Sequence, residues 1–310
     1  MKNIIIGFCC AVIVVLGVSA IQQSQANEDL KNAVTANARP LPESYKISSI
    51  ELPSKLDFAG EVVPLKYPDI KERADREFLV NTYWQSNSIL LMKRASQYFP
   101  VIEPILAEQG VPDDFKYLAV IESGLQNVTS PAGAKGFWQI MPATGKELGL
   151  EITSNVDERY HVEKATLAAC KYLKQSYEKF GSWTLAAAAY NGGNGGINGR
   201  LEKQDVESYY DMYLGEETGR YVFRILALKS IMQQPAMYGF DVKESHLYKP
   251  VPVNMVKVTE SIADLAAFAK EQDINYKILK IHNPWLRESR LDNASKKTYE
   301  LAIPKKGIYN

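Results

Sequence analysis

Tyr117-Leu118-Ala119-Val120-Ile121-Glu122-Ser123-Gly124 is followed, after Leu125-Gln126-Asn127-Val128-Thr129, by Ser130-Pro131-Ala132-Gly133-Ala134-Lys135-Gly136-Phe137-Trp138-Gln139-Ile140-Met141. The spacing of the first run predicts a helix. Pro112 suits its first turn, and Asp113 and Asp114 add negative charge where the helix dipole favours it. Phe115, Leu118, Ala119 and Glu122 fall on one face at i, i+3, i+4 and i+7. Gly124 is a good stop. Glu122 then points where its neighbours are apolar. Two readings of that acid are open: burial raises its pKa and keeps it protonated near neutral pH, or it is an ordinary last-turn glutamate that reaches solvent.

The residues around it bear on the choice. The run Ser130 to Gly136 cannot continue a helix and reads as a turn. Its small residues let a ligand approach the backbone, or else Gly133 and Gly136 merely permit tight packing. Gln139 offers donors and an acceptor, suited to an acetamido or hydroxyl group. Further on, 183–189 is an alanine-rich helical run that opens into Tyr190-Asn191-Gly192-Gly193-Asn194-Gly195-Gly196. A tyrosine and an asparagine at such an end can line a polysaccharide groove, or can simply be a C-cap. An acid held neutral in an apolar pocket is what protonation of a glycosidic oxygen requires.

Together these residues resemble the lytic transglycosylases of bacterial cell walls, with a goose-lysozyme-like catalytic domain. The Glu-Ser pair is Glu122-Ser123. The Gly-x-x-Gly-x-x-Gln-Ile pattern is Gly133, Gly136, Gln139 and Ile140. The Ala-Tyr-Asn pattern is Ala189, Tyr190 and Asn191. A fourth segment is Glu217-Thr218 with Tyr221-Val222. Phe137-Trp138-Gln139 and the helical lead-in from about Asp69 look most like the membrane-bound murein transglycosylase D type. The chain departs from the family pattern at Asn194 and Gly196, at Gly219-Arg220 and at His161-Val162.

The resemblance implies a reaction and its residues. Glu122 would be the catalytic acid–base, protonating the oxygen that links N-acetylmuramic acid to N-acetylglucosamine. Ser123, Ser130, Gly136, Gln139, Tyr190, Asn191, Glu217 and Tyr221 would be the substrate-binding set, with Ser130 and Tyr190 on the acetamido group. No Asp or Glu lies between Glu122 and Glu147. Attack by the 2-acetamido oxygen on C1 removes the need for a second carboxylate. Closure by the sugar's own C6 hydroxyl gives a 1,6-anhydro end without consuming water. The rivals are a lysozyme delivering water to C1 and a non-catalytic wall-binding scaffold. No cofactor and no metal are expected. The partner is the peptidoglycan glycan strand.

Composition bounds the rest. The chain has 310 residues, 46% of them hydrophobic, enough for one sizeable core and a small second module. Its 36 basic and 36 acidic residues argue against nucleic-acid binding. Cys9 and Cys10 lie in the N-terminal apolar run, which leaves Cys170, read as a buried small hydrophobe. His161, His246 and His282 are scattered along the chain, without metal-site spacing. Residues 1–26 read as a signal peptide or N-terminal anchor, with Lys2 before the apolar run and small residues at Val18-Ser19-Ala20 and Ser24-Gln25-Ala26. That addresses the chain to the cell envelope (periplasm), soluble after cleavage or associated with the inner or outer membrane; a monomer is expected.

Four segments follow: 1–26, a tether and extended segment over 27–65, a catalytic domain over 66–240 and a C-terminal domain over 241–310. The fold expected is mainly α, lysozyme-like, followed by a small α+β module. One long helix is expected from near Asp69 through Tyr98 and a second over 101–108, their aromatics placed in the core, with further helices at 162–180 and 221–233. Residues 44–65, with Pro53 and Pro64, are expected to run extended over the surface. Residues 253–258 and 299–303 read as strands enclosing helices at 261–270 and 276–281. That order resembles a peptidoglycan-binding LysM module without its usual Gly-Asp-Thr start. Whether such a module binds glycan or braces the catalytic domain is left open by the residues.

Overall fold

The computed structural model describes residues 22–29, 31 and 47–309. Chain packing separates Met1–Ser49 from Ile50–Asn310. Within the first unit, residues 22–29 and 31 are helical and exposed. Most of the expected signal and tether, with Cys9 and Cys10, lies outside the described residues. None of the described helices is long and apolar enough to cross a membrane.

The second unit is mainly helical. Helix α1 (Pro68–Tyr83) starts on a proline, with Asp69 in its first turn, and buries Ile70, Ala74 and Phe78. It breaks at Trp84, and α2 runs unbroken over Gln85–Glu108. The expectation of one helix to Tyr98 and a second from Val101 is therefore corrected. The break tolerates burial because Ser88 Oγ donates to Asn81 O at 2.5 Å, occupying a carbonyl that the interruption frees. Pro100 and Pro104 do not end α2, for both lie on its exposed face. There the carbonyls they leave unpaired can take water. The buried stripe Leu91, Ala95, Ile102 and Leu106 passes across them without interruption.

A single 3₁₀ turn, Asp113–Phe115, leads into α3 (Lys116–Ser123). Gly124 ends α3 in the left-handed region at φ 61°. Helices α4 (Pro142–Glu147), α5 (Val162–Phe180), α6 (Trp183–Gly192), α7 (Asn194–Gln204) and α8 (Glu216–Gln233) complete this part. The alanines 186–189 of α6 are fully buried, and their small size lets α5 and α8 close around it. Helix α7 was not expected from its glycines. It forms because Ile197, fully buried, anchors it against the core. Cys170 is buried as expected, and burial pushes its thiol up to about 12.

Residues 50–65 are not a surface strip. They fold into a two-residue antiparallel hairpin, β1 (Asp57–Phe58) and β2 (Glu61–Val62). Phe58 is fully buried, its ring edge-on to Phe115 at 5.1 Å. Glu61 accepts from Ser182 Oγ at 2.8 Å, Trp183 N at 2.6 Å and Thr184 N at 3.0 Å, so it caps α6 from outside the helix. Sequence reading missed that role because the cap comes from a residue far away in the chain.

The C-terminal module is β3 (Val253–Val258), α9 (Leu265–Glu271), α10 (Tyr276–His282) and β4 (Tyr299–Pro304), close to the expected order. The strands pair antiparallel, Val253 opposite Pro304 and Val258 opposite Tyr299. Asp264 caps α9 and Asn275 caps α10 through their side-chain oxygens. Its small core (Leu265, Leu279, Trp285, Leu286, Leu291, Leu301) also takes in Val156 and Tyr160 from the preceding helical part.

Candidate active site

Glu122 sits in the last turn of α3, half-buried beside fully buried Phe115, Leu118 and Ala119. Helix α8 packs across α3 and presents Tyr221, whose hydroxyl donates to Glu122 Oε1. Burial raises the Glu122 pKa to about 7. The Tyr221 hydrogen bond and the charge of Arg224 pull it down, and the charge of Glu217 pushes it up. The buried-acid reading of Glu122 agrees with this. Burial, followed by the nearby Glu122 charge, raises Tyr190 and Tyr221 well above the ordinary tyrosine value, so both hydroxyls remain donors.

Arg224 was missed in the sequence. It lies one turn after Tyr221 on the same helix, and its Nε is buried without a hydrogen-bond partner among the described residues. The i, i+3 spacing from Tyr221 is the signal that could have found it.

The turn after α3 is built by its own polar groups. Ser130 Oγ accepts from Ala134 N at 3.0 Å. Lys135 bridges to Thr129 and to Ile140 as short antiparallel pairs. Gly136, at φ 79°, has no room for a side chain, since a Cβ there would lie 1.8 Å from the Arg159 carbonyl oxygen. Gln139 takes φ 46°, unusual outside glycine. Its Nε2 donates to Gly136 O at 2.7 Å and Val128 O at 3.2 Å. That leaves its carbonyl oxygen as the group able to face a ligand.

Ser123 lies beneath the site, its hydroxyl donating to Phe137 O at 2.8 Å. It holds the turn against α3. The Tyr190 hydroxyl, at the end of α6, donates to Trp138 O at 2.7 Å. The Trp138 indole, fully buried, donates to Thr166 Oγ1 at 2.9 Å. Asn191 Oδ1 accepts from Thr218 Oγ1 at 2.7 Å, and its Nδ2 approaches Glu217 Oε1 at 3.5 Å. The structure thus pairs Glu122 with Tyr221 directly. It links the turn to α3 and α6 through successive carbonyls, and ties α6 to α8 through Asn191.

A cavity of about 570 Å³ lies elsewhere, lined by Lys146, Glu151, Lys164, Lys171, Lys297 and Tyr299. A second, of about 240 Å³, is lined by Tyr98, His161, Pro250 and Trp285. Neither includes Glu122. A carboxyl raised to about 7 beside tyrosine donors makes the surroundings of Glu122 the candidate site, on grounds that volume alone does not supply.

Residues 100–212 match the family model described as the transglycosylase SLT domain. Residues 254–307 match the soluble lytic transglycosylase C-terminal LysM-like domain. Membrane-bound lytic murein transglycosylase D of Escherichia coli, in strain K12 and in strain O6:H1, is 29% identical over 265 residues, covering 80% of this chain and 55% of the relative. A putative tributyltin chloride resistance protein of Alteromonas sp. is 28% identical over 122 residues, covering 39% of this chain and 56% of that one. The chain therefore spans about half the length of the curated relatives it matches. Among solved structures, an inactive mutant of the lytic transglycosylase Slt from Pseudomonas aeruginosa aligns with a TM-score of 0.36 at 20% identity, covering 49% of this chain and 26% of that one. Helix α8, which supplies Tyr221, Glu217 and Arg224, lies beyond the segment matched by the SLT model. Residues 100–212 are thus similar to the transglycosylase SLT domain, and residues 254–307 to the C-terminal LysM-like domain of soluble lytic transglycosylases.

Proposed function

We propose that the chain is a peptidoglycan lytic transglycosylase, cleaving the β-1,4 bond between N-acetylmuramic acid and N-acetylglucosamine with formation of a 1,6-anhydro end. The observation that carries this is Glu122, a half-buried carboxyl at about 7 with the Tyr221 hydroxyl on one oxygen. An acid poised there gives and takes a proton at neutral pH.

In the first step protonated Glu122 gives its proton to the glycosidic oxygen. The 2-acetamido oxygen attacks C1, and the C1–O bond breaks toward the departing sugar. Glu122 is left as a carboxylate, stabilised by the Tyr221 hydroxyl and the Arg224 charge. In the second step the C6 hydroxyl attacks C1 and displaces the acetamido oxygen. Its proton returns to Glu122. No water is consumed and the acid is regenerated. Acid–base catalysis of this kind contributes roughly 10²–10⁴-fold.

The remaining residues take supporting parts in this reading. Ser130 Oγ, which accepts from Ala134 N, keeps its own proton for the acetamido carbonyl. Tyr190, whose proton is directed to Trp138 O, offers a lone pair to the acetamido N–H. Gln139 Oε1 and Asn191 hold neighbouring sugar atoms, and Gly136 lets the strand approach the turn. The chain works as a monomer in the cell envelope, soluble after loss of its leader or held at a membrane, as the name of its Escherichia coli relatives suggests.

Mass spectrometry of sacculus digests tests the reaction. Muropeptides lighter by one water than reducing-end species, absent with Glu122→Gln, are expected. Reducing ends would identify a lysozyme instead. Sacculus binding without release, or full activity of the glutamine variant, would overturn the assignment.

A further inference from the structure

The hydrogen bonds from residues 253–309 to the catalytic part run to one short segment, residues 151–161. Asp157 N donates to Trp285 O at 2.9 Å, and Arg287 N donates to Asn155 O at 2.8 Å. The Asn155 side chain adds two more bonds, donating to Arg290 O and accepting from Asp292 N, each at 2.9 Å. Val156 is almost fully buried in the module's core. The Arg287 guanidinium lies 4.1 Å from the centre of the Tyr160 ring, and His161 stacks on Trp285. The module's loop between α10 and β4 is thus committed to holding this segment.

The same segment grips the turn beside Glu122. Asp157 and Arg159 form a forked ion pair, Nε to Oδ1 at 2.9 Å and Nη2 to Oδ2 at 2.8 Å, with both side chains only 3% exposed. Fixed in this way, Arg159 turns its remaining amino group to Gly133 O at 3.0 Å and Ile140 O at 3.2 Å. It therefore ties together the two ends of the loop that carries Gly136 and Gln139. Its own carbonyl presses on Gly136, where a Cβ would lie at 1.8 Å. Tyr160 adds a hydroxyl contact to Thr129 Oγ1 at 3.0 Å. On the other side, the turn is tied to α3 by Ser123 and to α6 by Tyr190.

We infer that the LysM-like module is a positioning element of the catalytic site. It acts through Asn155, Asp157 and Arg159 on the turn that carries Ser130, Gly136 and Gln139. All three are positioning residues: Asn155 ties the segment to the module, Asp157 fixes Arg159, and Arg159 binds carbonyls of the turn. The inference rests on the reading of that turn as part of the catalytic site. A buried fork with fixed donors suits this use, because it holds two carbonyls in one geometry and admits no looser alternative.

The test uses the full chain and four proteins: the parent, Asn155→Ala, Arg159→Lys and Asn283→Ala. Asn155→Ala removes only the side-chain bonds to the module. Arg159→Lys keeps the charge opposite Asp157 and loses the fork to Gly133 O and Ile140 O. Asn283→Ala removes bonds internal to the module, donated to Leu279 O and Ala302 O and accepted from Ala302 N, and none to segment 151–161. Amide hydrogen exchange of peptides covering 128–141 is read beside thermal midpoints and sacculus turnover.

Exchange in 133–140 should speed up about tenfold in Asn155→Ala and in Arg159→Lys, roughly what the loss of one or two net hydrogen bonds allows. Amides of α5 should be unchanged. In both variants kcat should fall by a similar factor while KM holds, and Asn283→Ala should alter neither. Unchanged exchange in 133–140 in both variants would overturn the inference, and so would an equal effect from Asn283→Ala at an unchanged thermal midpoint. If Asn155→Ala does not fold at the assay temperature, Asn155→Ser takes its place, because Arg159→Lys tests the grip on the turn and not the module's hold on the segment. Exchange needs no substrate, so absence of turnover in the parent would defeat the proposed function and leave this test standing.

Discussion

Replacing Glu122 by glutamine should stabilise the folded chain at alkaline pH and leave it unchanged at acid pH. The fold raises this carboxyl from 4.5 to about 7, mainly by burial. A raised pKa means that the folded state holds the proton more tightly than the unfolded state. The resulting stabilisation is fully present below 4.5 and is lost as pH rises through about 7. At 1.36 kcal/mol per pH unit, the ionised side chain costs the fold about 3 kcal/mol above that range. Glutamine is neutral and nearly isosteric, and its carbonyl oxygen can accept the Tyr221 hydroxyl, so it avoids that cost. For a body of this size, about 3 kcal/mol moves the thermal midpoint by roughly 6–12 °C. Urea unfolding of parent and variant at pH 4.0 and pH 8.5 reads the difference directly. The curves should nearly coincide at pH 4.0 and separate at pH 8.5, with the variant more stable. A gap equal at both pH values, or a variant weaker at pH 8.5, would refute the claim that burial governs Glu122. The same substitution is the one expected to abolish turnover, so activity and stability should move in opposite directions.

Tyr221→Phe removes a hydrogen bond that lowers the Glu122 pKa, so the alkaline limb of the pH–rate profile should move upward and the optimum rate should fall about tenfold; an unmoved limb would show that the bond does not tune the acid. Gly136→Ala must place a methyl 1.8 Å from the Arg159 carbonyl at φ 79°, and should cost about 3 kcal/mol or more, seen as a lowered urea midpoint or loss of soluble protein. Glu61→Ala leaves the start of α6 without its outside cap and should cost about 1–2 kcal/mol; an unchanged midpoint would mean that water replaces the carboxylate.

Local pattern was readable where a side chain's role is set by its neighbours in sequence. The apolar face ending at Glu122, the Gly124 stop and the limits of Val162–Phe180 follow from spacing and terminators. The strand–helix–helix–strand order of the C-terminal module does so as well. The break at Trp84 was not legible. It depends on Ser88 reaching back to a backbone carbonyl, and the prolines at 100 and 104 give a stronger local signal that burial overrides. Helix α7 was obscured by its three glycines, whose poor propensity is outweighed by Ile197 in the core. In the site, the residue types were legible and their orientation was not. Ser123 and Tyr190 turn their hydroxyls onto carbonyls of the turn, and Gln139 spends its amide on two more. Arg224 carries no motif of its own; its spacing from Tyr221 gives its face of the helix, and the packing of α8 on α3 brings that face to Glu122.

The hairpin at 57–62 separates two boundaries that are easily equated. The stretch matched by the transglycosylase SLT model begins at residue 100, whereas the stretch that packs as one unit begins near residue 50. Between them lie the Phe58 ring that closes over Phe115 and the carboxylate that caps α6. Beyond residue 212 lies the tyrosine that holds the acid. The matched domain therefore marks where the acid is written, and packing marks how much chain surrounds it. A fragment trimmed to residues 100–212 would carry Glu122 without Tyr221, Phe58 or Glu61.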